Sequence, residues 1–260
     1  MKNNFLTLLS IVALSTTFLA SCGESEPLAT NVRKTNLRFW NMMPDANVQS
    51  LDILVDGNFV TNIRYGEEQT DYFQVFSGNR NIRVTVGGDR NRITIDTLAD
   101  FSDRQNQFFT FMVVDSARNN SPLLIRDNYN LRPDTLTGRF QLRVLHLSPN
   151  APGVNIGLVR QIDPTTTDTT YIIADTLTFL KNLSQEQINT QARFRTFRLS
   201  ATTPTLADTT LNLVIRAVDG TIIPLDSVRV QEKSVYTVIA RGFVGGTGAQ
   251  ELQTRIIKDR

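Results

Sequence analysis

Leu37-Arg38-Phe39-Trp40-Asn41-Met42-Met43-Pro44-Asp45-Ala46-Asn47 and Leu142-Arg143-Val144-Leu145-His146-Leu147-Ser148-Pro149-Asn150-Ala151-Pro152 are two versions of one segment, 105 residues apart, with Leu, Arg, Pro and Ala in register. Each is a short apolar run stopped by a Pro-Asp or Pro-Asn turn and followed by a second β-rich run. A chain that repeats its opening strand at this interval is predicted to be one domain made twice, each copy of about 100 residues. The 260-residue length holds both. An apolar content of 40% against 20% charged is enough for packed cores and argues against disorder.

From Asn36 onward the pattern alternates with period two. Ser50–Val55 runs into Asp56-Gly57-Asn58, a hairpin turn, and Phe59–Ile63 answers it. Strands are expected at Asp71–Phe76, Asn81–Val86, Arg92–Asp96, Gln107–Val114 and Leu123–Arg126. After a connector holding Pro133 and Gly138, the second copy opens near Phe140. Gln161–Asp168, with Pro164 and several threonines, reads as an extended loop. Further strands are expected at Arg193–Ala201, Leu211–Val218, Ile222–Val230, Tyr236–Arg241 and Glu251–Ile257, with Asp219-Gly220 as a tight hairpin. Ser184-Gln185-Glu186-Gln187 has capping-box spacing and predicts one short helix. The fold class is therefore all-β, two tandem immunoglobulin-like antiparallel β-sandwiches over 36–132 and 138–260, joined by a linker at 133–137.

The N-terminus carries the most specific address. Lys2 precedes an apolar stretch from Phe5 to Leu19, and Leu19-Ala20-Ser21-Cys22 ends in the chain's one cysteine. This resembles a bacterial lipobox, which implies removal of residues 1–21 and lipid on the Cys22 thiol; the alternative is an ordinary secretion signal. With that cysteine lipidated, no intramolecular disulfide is available, and two or more acyl chains give durable anchoring. Residues 22–35 read as an acidic tether, and Gly23-Glu24-Ser25-Glu26 resembles the export signal of Bacteroidota surface lipoproteins. The expected address is the outer membrane, facing outward, with a periplasm-facing anchor as the alternative. A net charge of +2, interspersed, shows no footprint for nucleic acid.

The segment Leu142–Pro152, a strand with an Asp-Gly hairpin, Tyr65-Gly66-Glu67, Ile82-Arg83-Val84-Thr85 and the closing Ser234–Gly242 together resemble the domain-of-unknown-function family 4397. The resemblance implies extracytoplasmic tandem repeats on lipoproteins and carries no assigned activity. The first copy departs by Trp40-Asn41-Met42-Met43. The second departs by its threonine-rich insertion and by lacking the Tyr-Gly-Glu element.

Reactive chemistry is sparse. His146 is the only histidine, and Asn41 stands in its place in the first copy. Both can bond a turn backbone, so His146 is read as a polar group closing its strand, with catalysis or metal binding as the alternative. Without a second histidine or free cysteine, the usual zinc ligand sets are absent. No Gly-x-Ser-x-Gly elbow occurs, and Gly245-Gly246-Thr247-Gly248 lacks the lysine of a phosphate loop. Asp45, Asp56, Asp89 and Asp219 sit beside Pro, Gly or Asn, where turn formation explains them. Trp40 is read as core packing rather than a sugar platform. Seven aspartates precede Ser or Thr in triplets that resemble the O-glycosylation acceptor of Bacteroidota; Thr135, Thr169 and Thr209 are the candidates in expected loops. The alternative is that Asp-Thr suits the step from turn to strand.

The expected function is a non-catalytic binding or display module without cofactor or metal. Its partners would be the membrane, through Cys22, and a glycan or protein ligand. The alternative is a carboxylate-dependent hydrolase of polysaccharide or peptide, its acids hidden among the turn aspartates.

Overall fold

The computed structural model describes residues 33–259 except 46–47, 49, 68–70, 102–106, 116–120, 128–136, 162–166, 199–208, 219, 221 and 224–227. Arg33–Arg260 forms one compact unit. It is an all-β sandwich fold, and each of its sheets draws its strands from one half of the sequence.

The first half holds β1 (Lys34–Met42), β2 (Ser50–Val55), β3 (Asn58–Arg64), β4 (Phe73–Phe76), β5 (Asn79–Val86), β6 (Asp89–Asp100), β7 (Phe108–Val114) and β8 (Ser121–Arg126). They form two four-stranded sheets, β4-β1-β7-β8 and β3-β2-β5-β6. The second half holds β9 (Arg139–His146), β10 (Val154–Gln161), β11 (Thr167–Leu177), helix α1 (Gln185–Gln191), β12 (Arg195–Arg198), β13 (Thr209–Ala217), β14 (Ile222–Ile223), β15 (Val228–Val230), β16 (Val235–Arg241) and β17 (Gln253–Lys258). Its sheets are β12-β9-β16-β17 and β11-β10-β13-β14, with β15 also on β13. The orders β4-β1-β7-β8 and β12-β9-β16-β17 are the same order drawn twice. β1, which carries Leu37, and β9, which carries Leu142, hold the same place in those two orders.

Local chemistry accounts for the turns. Asp56 and Gly57 both have positive φ, 51° and 80°, as a two-residue hairpin matched to strand twist demands. Ser184 caps α1: its side chain accepts from the Gln187 backbone N–H, and the Gln187 side chain accepts from the Ser184 backbone N–H.

Three findings differ from the expectation. Two pairings are parallel, β1 with β7 and β9 with β16. Gln161, Thr167 and Asp168, expected in a loop, lie in strands, with Gln161 paired to Thr167 and Asp168 to Arg160. Of the strand expected at Ile222–Val230, the described residues form β14 and β15, each paired with β13.

Three apolar layers hold the sheets. Leu37, Phe39, Phe109 and Phe111 meet Leu51, Ile53, Ile82 and Val84 between the first-half sheets. Leu142, Val144 and Val238 meet Val154, Ile156 and Ile215 between the second-half sheets. The third layer joins the halves: Trp40, Met42, Met112, Val114 and Ile125 pack with Leu145, Leu147, Ile239, Ile257 and Ile188 of α1. Sheets β4-β1-β7-β8 and β12-β9-β16-β17 are thus covered on both faces. That explains why β1, β7, β9 and β16 read as continuous apolar runs and tolerate parallel pairing.

Candidate functional site

Arginine is the anomaly in the duplicated strand. Arg38 and Arg143 point into the layer between the halves, and both are fully buried. Arg38 donates from Nε to Thr110 Oγ1 at 2.8 Å, and Thr110 donates to Asp127 Oδ2 at 2.5 Å. Arg143 does the same in the second half, from Nε to Thr237 Oγ1 at 2.8 Å, with Thr237 donating to Asp259 Oδ2 at 2.5 Å. Across the joint the partners exchange. Arg38 Nη2 reaches Asp259 Oδ1 at 2.5 Å, and Arg143 Nη1 reaches Asp127 Oδ1 at 2.6 Å. Tyr72 OH adds a bond to Asp127 Oδ2 at 2.7 Å. Burial is affordable only because each charge meets its opposite and each threonine relays a bond.

Aromatic faces complete the cage. The Arg38 guanidinium lies 4.5 Å from the Trp40 ring centroid and 4.7 Å from that of Tyr72, and Arg143 lies 4.4 Å from Phe194. Lys181 adds another bond across the halves, donating to Asp115 Oδ2 at 2.6 Å.

These residues escaped the sequence reading although their signal was present. An arginine inside an apolar strand, in register in both copies, marks a paired buried charge. Phe109-Thr110-Phe111 answers Tyr236-Thr237-Val238, and Ile125-Arg126-Asp127 answers Ile257-Lys258-Asp259.

His146 is placed as the structural reading expected. It is buried, its Nδ1 accepts from the Ser148 backbone N–H at 3.3 Å, and its Nε2 lies 3.0 Å from the Pro152 carbonyl. Those partners require the neutral ring with the proton on Nε2. Burial holds its pKa below the ordinary histidine value, against the opposing pull of backbone bonds at Pro152 and Ala151. Asn41 does the same work: its Oδ1 accepts from Met43 N–H at 3.1 Å and its Nδ2 donates to Ile63 O at 3.1 Å. Histidine and asparagine are here two solutions of one turn.

Trp40 is 1% exposed in the joint layer, so it offers no sugar platform. Asp56 serves its turn, accepting from the Asn81 backbone N–H at 2.9 Å. Among the described residues no group of three or more His, Cys, Asp or Glu is placed to hold a metal. Burial holds the Tyr65 phenol above its usual range, against the opposing pull of the Arg241 cation, whose guanidinium lies 4.9 Å from the ring. Cys22 and Thr135 lie outside the described residues. Thr169 and Thr209, expected in loops, lie in strands: Thr169 pairs with Val159 and Thr209 with Val230.

One cleft of about 510 Å³ opens at the joint, within the range of ligand sites. Its walls are the end of β6 at Thr97–Asp100, the strand β8 and helix α1. Leu98 and Leu124 give it apolar surface, Asn189, Arg126 and Arg193 carry N–H groups, Asp100 adds a carboxylate, and Gln185 donates to Asn189 Oδ1 at 3.1 Å. Gln185 also donates to the Leu124 carbonyl at 3.2 Å, so α1 covers the outer edge of β8. The cleft therefore needs both halves. Its lining offers both hydrogen-bond donors and a carboxylate acceptor.

A family model described as domain of unknown function 4397 matches residues 35–157. The chain is similar to that family over the whole first half and the opening strand and turn of the second. Two solved structures are similar to it. One is a candidate cell adhesion protein from Bacteroides uniformis, 8% identical over 87% of this chain and 99% of that one, with a TM-score of 0.19. The other is a candidate adhesin from Bacteroides ovatus, 10% identical over 86% of this chain and 92% of that one, with a TM-score of 0.18. No curated protein matches the chain. No helix among the described residues is long and apolar enough to cross a membrane.

Proposed function

We propose that this chain is a lipid-anchored, non-catalytic binding or display module of the bacterial cell envelope. Lipid at Cys22 and the tether at residues 22–35 hold it to the outer membrane. Two sandwich repeats, 36–132 and 138–260, follow that tether. The partner is a glycan or a protein, taken at the cleft beside α1.

One observation carries this reading. The groups that catalysis would draw on are committed to holding the fold. Both nitrogens of His146 serve its own turn. The carboxylates buried at the joint, Asp127 and Asp259, are each bound by an arginine from the opposite half and a threonine from their own. The cleft, by contrast, brings together amides, guanidinium groups, aliphatic and aromatic surface and a single carboxylate, Asp100, rather than the carboxylate pair that glycoside hydrolysis uses.

The test is a screen of the purified chain, freed of its lipid, against arrayed glycans and host matrix proteins. The expected result is saturable binding that Asn189→Lys or Arg193→Glu weakens at least about tenfold. The reading fails if the preparation turns over a polysaccharide or peptide, and if replacing one or two aspartates abolishes turnover without unfolding the chain. That outcome selects the hydrolase instead.

A further inference from the structure

We infer that the face joining the halves is a self-complementary coupling surface whose partner is a second copy of the same repeat, and that two copies of this chain can close it by exchanging halves. The inference rests on the joint alone and is independent of what the cleft binds.

A twofold-related contact has a strict signature: if residue i of one side meets j of the other, then the counterpart of j meets the counterpart of i. The joint satisfies it within a single chain. Arg38 meets Asp259, and their counterparts Arg143 and Asp127 meet in return. The apolar layer repeats the pattern, with Trp40, Met42, Met112 and Ile125 answered by Leu145, Leu147, Ile239 and Ile257. Even the sheet edges are traded. The link after β3 accepts Arg255 Nη1 of β17 at the Gly66 carbonyl, 2.6 Å, while the link after β11 brings Gln185 to the Leu124 carbonyl of β8.

Such a face cannot rest open. Each half alone would strip an arginine and a carboxylate, all fully buried in the joint, of their partners across it. It must close on a surface bearing the same residues. Nothing in those contacts distinguishes the other half of the same chain from that half of a second chain. Only the connector between Asp127 and Arg139 makes the distinction, by the short reach it allows. Exchange costs no contact at the joint, because every pair is remade. In the exchanged pair each cleft would take β6 and β8 from one copy and α1 from the other.

Two full-length charge-reversed chains test this. One carries R143E and D259R, the other R38E and D127R. Each alone opposes like charges across its own joint. Mixed, they restore opposite charges at all four positions, but only between chains. Light scattering on the mixture is expected to show a closed species of twice the single-chain mass, with Trp40 emission as in the unaltered protein. As a second arm that keeps the native face, deleting residues 128–136 from the full chain is expected to convert it to a closed dimer at micromolar concentration. A folded monomer from the deletion variant overturns the inference. So does failure of the mixed chains to form a dimer, or an open-ended aggregate in place of a closed pair.

Discussion

Arg143 donates from Nη1 to Asp127 Oδ1 at 2.6 Å, from the opening strand of one half to the residue just after the last strand of the other. Both side chains are fully buried. Removing one member of a buried pair leaves the other charged and unpaired, at a cost of about 3–5 kcal/mol. Arg143→Ala and Arg38→Ala are therefore each expected to lower unfolding free energy by about that amount, and by similar amounts, because the two sites are twofold equivalents. Denaturant titration of each variant checks it. A loss under about 1 kcal/mol at either site would show that water or a neighbour replaces the pair.

His146 makes stability sensitive to acid. Its folded pKa is depressed, so the native state resists a proton that the unfolded chain binds near its ordinary value of about 6.5. The stabilisation from the neutral ring is complete above that value and is lost progressively as pH falls through and below it. His146→Asn should keep the turn, as Asn41 does, and flatten the stability profile between about pH 7 and 5. His146→Ala should cost about 1–3 kcal/mol by leaving the Ser148 N–H and Pro152 carbonyl unpaired. Equal pH profiles for the native chain and His146→Asn would refute the assignment.

Glycine is required for different reasons at Gly57 and Gly242. Both have positive φ, 80° and 92°. A Cβ on Gly57 meets open space, whereas on Gly242 it would lie 2.2 Å from the Glu251 carbonyl oxygen, a backbone atom that cannot swing aside. Gly57→Ala should carry backbone strain alone, on the order of 1 kcal/mol. Gly242→Ala should cost clearly more, because the turn before β17 must shift. The order of their thermal midpoints decides the matter.

Trp40 is the only tryptophan and lies in the joint layer. Its fluorescence therefore reports the joint. Emission from the native chain is expected at short wavelength and shielded from iodide, with a red shift only when the joint opens. Ready quenching of the folded chain would contradict the burial described.

Cys22→Ser should release the protein from membranes or leave its leader uncleaved. Membrane fractionation and intact mass measure this. A variant that stays membrane-bound and normally processed removes lipid anchoring from the proposal.

By itself the amino-acid sequence determined the elements and their repetition. Period-two alternation placed β2, β3 and β5 close to where they lie, Asp56-Gly57 set its hairpin, and Ser184 with Gln187 set α1, because these features depend on neighbours a few residues away. The shared fate of Asn41 and His146 was legible for the same reason: each bonds the backbone two residues on. The joint was decided only by the tertiary structure. Arg38 and Asp259 lie 221 residues apart in the chain, and no local rule pairs them. Burial of β1, β7, β9 and β16 on both faces was likewise settled by the packing of the third apolar layer. Thr169 and Thr209 look like loop residues in sequence, since Asp-Thr serves equally at a turn and a strand start; pairing with Val159 and Val230 makes them strand. Short-range bonding is written into local sequence. Which two covered faces meet is settled by complementarity across the whole surface, and that exists only once both halves are folded.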